Sequence, residues 1–160
     1  MSNILITMQN GDVMEAELYP DAAPKTVENF LKLVENKFYD GLIFHRIIEG
    51  FMIQGGGYDA EGNHKQCDSI PGEFASNGFD NPIKHKRGVL SMARTSFPNS
   101  ASSQFFIMHK SAPHLDGEYA AFGKIVKGIE VVDRLAAVQT NIVDSPIEPQ
   151  VIESIRIVEE

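Results

Sequence analysis

Phe44-His45-Arg46-Ile47-Ile48-Glu49-Gly50-Phe51-Met52-Ile53-Gln54-Gly55-Gly56 sets an arginine and a glutamine among apolar residues on either side of a glycine turn. Short runs rich in Ile and Phe and broken by Gly read as β-strands rather than helices. If residues 42–48 form one strand, alternation puts Phe44, Arg46 and Ile48 on one face. An arginine on such a face must reach water or find a partner, because an unpaired buried charge is costly. At this point two readings stand side by side: a snorkelling or ion-paired structural arginine, and an arginine that serves a ligand.

Similar runs recur at 89–93, 104–108, 120–126 and 151–158, separated by Gly, Pro and Asn. The chain opens on a hairpin pattern: Ile4, Ile6 and Met8 alternate with other residues, Asn10-Gly11 follows, and 13–19 runs back. Asn-Gly suits the two positive φ angles of a type I′ turn. Pro24 fits a first helical position, and Val27, Phe30, Leu31 and Val34 then fall on one helical stripe. Residues 129–138 predict a second helix, with Ile129, Val132, Leu135 and Ala136 on one face.

About eight strands in runs, with only two helices, argue against a parallel βαβ sheet. A mainly β fold results: a closed, mostly antiparallel barrel, since closure leaves no bare edge, with the helices over its open ends. Residues 55–87 carry little periodicity and many Gly, Asp and Asn. Long irregular loops in compact domains are usually functional.

The 160 residues suit one domain, 1–160, and 42% hydrophobic with 22% charged residues is ordinary globular usage. No internal repeat or linker divides it. The net charge of −8 argues against general phosphate-backbone binding, so no nucleic-acid partner is expected. Lys84-His85-Lys86-Arg87, the most basic stretch, reads as a solvated turn before a strand. Cys67 is the only cysteine, so no intrachain disulfide can form. The amino end lacks a signal-peptide pattern, and no stretch approaches the roughly 18 apolar residues of a membrane span. A cytoplasmic protein, without a membrane partner, is the expectation.

The usual catalytic motifs find little support. Gly55-Gly56-Gly57 is not GxGxxG, and no helix pattern follows it; a bend or a close backbone approach explains it better. His64 and Cys67 could make half a metal site, but no second pair follows. There is no GxSxG, and nothing points to a Ser/His/Asp triad. No metal and no cofactor are expected.

Three further segments repeat the theme of the first: Gly88-Val89-Leu90-Ser91-Met92-Ala93-Arg94, Ser103-Gln104-Phe105-Phe106-Ile107, and Leu115-Asp116-Gly117-Glu118-Tyr119-Ala120-Ala121-Phe122-Gly123-Lys124. Individually they read as core strands and turns. Together with FHRIIEGFMIQGG they match in content, order and approximate spacing the motifs of one family, and the chain resembles the cyclophilin peptidyl-prolyl cis-trans isomerases over nearly its whole length.

That resemblance implies an eight-stranded antiparallel barrel with two capping helices, and rotation of X–Pro peptide bonds by a folding catalyst. It implies that Arg46 is the catalytic arginine and Gln54 the glutamine beside it. Phe51, Met52, Phe106 and Leu115 match the proline pocket; Ala93 and Gln104 match the groove for the residues before proline, and Arg94 a backbone-contact position. His114 stands where the best-known members carry tryptophan, and Tyr119 where they carry histidine. The 94–104 loop is one residue longer, and the region between Asn63 and Asn81 is shortened, as in bacterial-type members. Expected partners are therefore proline-containing peptides and unfolded or flexible chains, met by a monomer, with cyclosporin bound weakly because of His114. The competing reading is a module that binds proline segments in the same groove without turning them over; an isomerase assay separates the two.

Overall fold

The computed structural model describes residues 3–158. Met1, Ser2, Glu159 and Glu160, which belong to the expected domain 1–160, lie outside the described residues. Eight strands and two α-helices follow one another along the chain: β1 (Asn3–Met8), β2 (Val13–Leu18), α1 (Pro24–Glu35), β3 (Arg46–Ile48), β4 (Met52–Gly55), β5 (Val89–Met92), β6 (Phe105–Met108), β7 (Ala121–Lys127), α2 (Ile129–Ala136) and β8 (Ile152–Val158). All ladders are antiparallel, in the order β3-β4-β6-β5-β7-β2-β1-β8.

The closed barrel expected from the sequence is corrected here to an open half-barrel. No ladder joins the end strands β3 and β8 among the described residues. The chain before β3 reaches the start of β8 through the isolated pair Ile43–Val151, the backbone bonds Phe44 N–H to Gln150 O, Ile152 N–H to Leu42 O and Gly41 N–H to Ile152 O, and the Arg156–Asp40 ion pair, without a continuous ladder. The cause is local. Residues 42–48 do not form one strand, because the chain leaves extended pairing at Phe44-His45. That break also reverses the parity: Phe44 and Ile47 are both buried in the main core while Arg46 is exposed, so Phe44 does not share the arginine's face.

The strands separate two apolar clusters. Ile47, Ile53, Leu90, Met92, Phe105 and Ile107 point to one side, where Phe30, Val34, Val132 and Leu135 of the two helices join them. Met52, Val89, Phe106, Met108 and Ala121 point to the other side and form a smaller cluster with Leu115. Period-two alternation thus gives the same strands two different tasks.

Pro24 opens α1 as predicted, but its first turn is capped from a distance: Glu73 Oε1 accepts from Thr26 N–H at 2.6 Å and from Thr26 Oγ–H at 2.8 Å. The opening hairpin departs from the expected type I′ turn. Gly11 has φ +97° and Asn10 keeps a negative φ, so a loop closed by Gly11 N–H to Met8 O joins the strands. The Lys84–Arg87 segment is not a wholly solvated turn either, for His85 is buried and Arg87 is bonded to Asp133. α2 ends at Ala136, two residues before the sequence reading placed its end. Among the described residues, no helix is long and apolar enough to cross a membrane.

Candidate functional site

The smaller cluster is the floor of a pocket, and sheet register explains its make-up. Arg46 pairs with Gln54 across β3–β4, Gln54 with Phe106 across β4–β6, and Phe106 with Ser91 across β6–β5. Direct cross-strand partners share a face, so these four side chains form one row along the outer side of the sheet. The pocket above it encloses about 370 Å³ and is lined by Arg46, Phe51, Met52, Gln54, Ala93, Arg94, Phe106, His114, Leu115 and Tyr119. Every site residue expected from the sequence is therefore here, Gln104 excepted. Gln104 lines an adjoining cavity of about 290 Å³ that shares Gln54, Ala93 and Arg94 with the pocket and adds His64, Thr95, Ser100 and Ser102.

The pocket's walls differ in how they are held. Met52, Phe106 and Leu115 are buried. Phe51 is half-buried, with His114 tilted against it at 5.8 Å between ring centroids. Tyr119 meets Phe106 edge-on at 5.7 Å, which closes the pocket's far side. Arg94 is spent on the protein itself: its guanidinium lies over Phe74 and Tyr119, at 4.6 and 4.7 Å, and donates to Glu118 O and Thr95 O. It braces the rim against Tyr119.

Arg46 is arranged differently. It is exposed, and its side-chain hydrogen bond among the described residues goes to Gln54 Oε1 at 3.5 Å, the long limit of such a bond. Gln54 in turn donates Nε2–H to Gln104 Oε1 at 3.0 Å. A relay of amides thus runs from the groove's second cavity to the arginine. Gly57 makes room for it: a Cβ there would stand 2.5 Å from Gln104 Nε2. The run of glycines is the close backbone approach that the sequence suggested, and Gly56 adds a positive φ of +91°.

Behind the floor lies a group that sequence reasoning missed. His85 Nδ1–H donates to Asp116 Oδ1 at 3.1 Å, and Nε2 accepts from Ser91 Oγ–H at 2.9 Å. The order is that of a hydrolytic triad, but Ser91 is 0% and His85 1% exposed, so no substrate can reach the hydroxyl. Its task is support: the imidazole stacks on Phe106 at 6.0 Å and 21°, and Asp116 follows the pocket residue Leu115. Burial holds His85 below its ordinary value against the opposing pull of Asp116, which keeps the ring neutral. The only sequence signal was a histidine in a basic stretch, and that pointed the other way.

His45, next to Arg46, contrasts with it. Its Nδ1 is buried without a hydrogen-bond partner among the described residues, and burial, followed by the charges of Arg46 and His64, lowers its pKa to about 4. Tyr58 lies between the rings of His45 and His64, at 4.7 and 4.9 Å. Cys67, half-buried, packs against the main core.

Residues 4–157 match the family model described as cyclophilin type peptidyl-prolyl cis-trans isomerase/CLD. The chain is similar to the peptidyl-prolyl cis-trans isomerase CYP18-1 of Arabidopsis thaliana, 46% identical over 138 residues, covering 86% of this chain and 84% of that protein. A peptidyl-prolyl cis-trans isomerase of Acinetobacter baylyi is 44% identical over 147 residues, covering 88% and 76%. Among solved structures, the crystal structure of a Cryptosporidium parvum cyclophilin type peptidyl-prolyl cis-trans isomerase in the presence of the dipeptide Ala-Pro superimposes with a TM-score of 0.83 at 33% identity, over 99% of each chain.

Proposed function

The chain belongs to the cyclophilin-type peptidyl-prolyl cis-trans isomerases and is such an enzyme, and from that premise we propose that it turns X–Pro bonds without covalent chemistry, through Arg46. The barrier is amide resonance, about 18–20 kcal/mol. As the C–N bond twists, the proline nitrogen becomes pyramidal and recovers its lone pair. A guanidinium N–H aimed at that nitrogen binds the twisted amide better than the planar one, which is what lowers a barrier. Arginine keeps its charge at any working pH.

The observation that carries this reading is the Arg46 guanidinium, exposed on the lip of an apolar pocket with the long bond to Gln54 as its one side-chain hydrogen bond among the described residues. A structural arginine would use its donors as Arg94 does. Gln54 orients the guanidinium. Phe51, Met52, Phe106 and Leu115 hold the proline ring while the preceding carbonyl swings. Ala93 and Gln104 take the residues before it, and Arg94, His114 and Tyr119 form the rim. A rate gain of about a hundred-thousandfold needs roughly 7 kcal/mol of selective stabilisation, a sum within reach of a charge-assisted bond plus restraint of both substrate halves.

The substrates in this reading are proline-containing peptides and unfolded or flexible proteins, which the Ala-Pro in the solved relative supports. The protein acts as one domain over residues 1–160, monomeric and cytoplasmic, a setting in which the free thiol of Cys67 stays reduced. Replacing Arg46 by Ala tests the mechanism. We expect kcat/KM for a proline tetrapeptide, in a protease-coupled assay, to fall by about a hundredfold or more, with calorimetric peptide affinity changed only a few-fold. Turnover equal to that of the parent enzyme would overturn it.

A further inference from the structure

The turn between β3 and β4 carries Phe51 into the pocket, and it is gripped from outside by His109, with a longer bond from Lys110 N–H to Phe51 O at 3.3 Å beside it. Its geometry alone is weakly fixed: Phe51 N–H bonds to Ile48 O at 3.0 Å, Gly50 has φ +81°, and Glu49 and Gly50 are exposed. His109, one residue past the end of β6, is buried. Its backbone N–H donates to Phe51 O at 2.8 Å, and its side-chain Nδ1 accepts from Gly50 N–H at 2.9 Å. The β4–β6 ladder ends at the Met52–Met108 pair, and this imidazole continues it by one more bond.

An amide N–H can only donate, so Nδ1 must be bare, and in the neutral ring the proton then sits on Nε2. Nε2 lies 3.1 Å from Asp133 Oδ1 on α2. Asp133 is a fixed acceptor: Arg87 clasps both its oxygens, at 2.6 and 2.8 Å, and also reaches His109 O at 3.3 Å. The clasp by Arg87 and its charge, with the bond to His109 added, hold the Asp133 carboxyl down to about 2 despite partial burial. A chain of bonds therefore runs Arg87–Asp133–His109–Gly50 and ends at the neighbour of a pocket residue.

We propose that His109 is a positioning residue for the isomerisation: Asp133 selects its Nε2–H tautomer so that Nδ1 can hold the Gly50–Phe51 turn and keep the Phe51 ring in the pocket. This rests on the reading of Phe51 as a wall of the proline pocket. That wall meets the proline ring in the planar and the twisted amide alike, so loosening it weakens both states equally and raises KM rather than lowering kcat.

The amide side chains of Asn and Gln separate the two ring nitrogens, since Asn presents an oxygen near Nδ1 and Gln a group near Nε2. For His109→Gln we expect KM for a proline peptide to rise about fivefold with kcat within about twofold, and the Gly50 amide to exchange its hydrogen about tenfold faster. His109→Asn should return both readouts to within about twofold of the parent. Phe51→Ala serves as the reference and should raise KM at least as much as His109→Gln. Equal KM in the parent, Asn and Gln enzymes overturns the positioning role, as does an equal defect in Asn and Gln. If Phe51→Ala leaves KM unchanged, it is the pocket reading that has failed, and the proposal falls with it.

Discussion

Phe105 and Phe106 are adjacent in β6, and they stand on opposite sides of one sheet with different consequences. Phe105 is 0% exposed and meets Phe30, Tyr39 and Phe44 edge-on, at 5.5, 5.5 and 6.0 Å. Phe106 is 5% exposed, backed by His85 and flanked by Tyr119, with its remaining surface turned to the pocket. The inner side is sealed by the two α-helices, whereas neither α-helix packs on the outer side. Its apolar residues stay available because Arg46, Arg94 and His114 stand around them rather than on top. The same alternation that builds a core on one side builds the floor of a pocket on the other.

The largest expected effect of breaking that contrast is on stability from the inner side. Phe105→Ala should lower the unfolding free energy by about 3–5 kcal/mol, read by denaturant unfolding. Phe106→Ala should cost clearly less stability yet reduce kcat/KM by about thirty-fold or more, because in the proposed mechanism Phe106 holds the proline ring. Equal stability losses from the two would mean that the outer cluster is core rather than floor.

The two histidines next to the pocket sharpen the comparison through pH. The unfolded chain protonates His45 near its ordinary value of 6.5, whereas the folded protein holds it off until about 4. Protons then bind more to the unfolded state across that interval, and stability falls as pH drops through it. Buried His85 acts in the same direction. We expect the melting temperature to fall from pH 6.5 to pH 4, and His45→Gln to flatten part of the decline. Below pH 4 the sign stays the same for another group. Asp133, depressed to about 2 from an ordinary 3.8, contributes stability above 3.8 and loses it as pH falls toward 2. Its side chain is 43% exposed, so solvent screens the pair and Asp133→Asn should remove only a small part of the acid loss.

The smallest effect concerns the rim. His114 is exposed, packs on Phe51, and stands where tryptophan is expected in the best-known relatives. His114→Trp should raise cyclosporin affinity by about tenfold, roughly 1.4 kcal/mol, in a fluorescence or calorimetric titration, with isomerase activity near that of the parent. Tight cyclosporin binding by the unaltered protein would show that the imidazole already supplies what the indole does.

Much of the site was legible in the order of residues. Arg46, Gln54 and Phe106 sit in short strands whose alternation says which side chains travel together, and the spacing of four motifs carried the family resemblance. Gln104 lines the adjoining cavity, and Gly57 beside it marks a close approach. His85, Glu73 and His109 were not legible, because each acts across a gap in sequence: His85 with Asp116, Glu73 with Thr26, and His109 with Gly50 and Asp133. A buried polar group is defined by its partner, and no periodicity announces a partner tens of residues away.

By itself, then, the sequence determined the strands and helices, their amphipathic sides and the chemical kind of the pocket, since these follow from spacing along a pleated or helical backbone. Only the tertiary structure decided that the sheet stays open between β3 and β8, that Phe44 and Arg46 part company at the break before β3, and which histidines are buried. Those outcomes depend on which strand lies next to which. A slip of one residue at Phe44-His45 exchanges the two sides of the sheet for everything that follows, and local sequence cannot see the neighbour that fixes it.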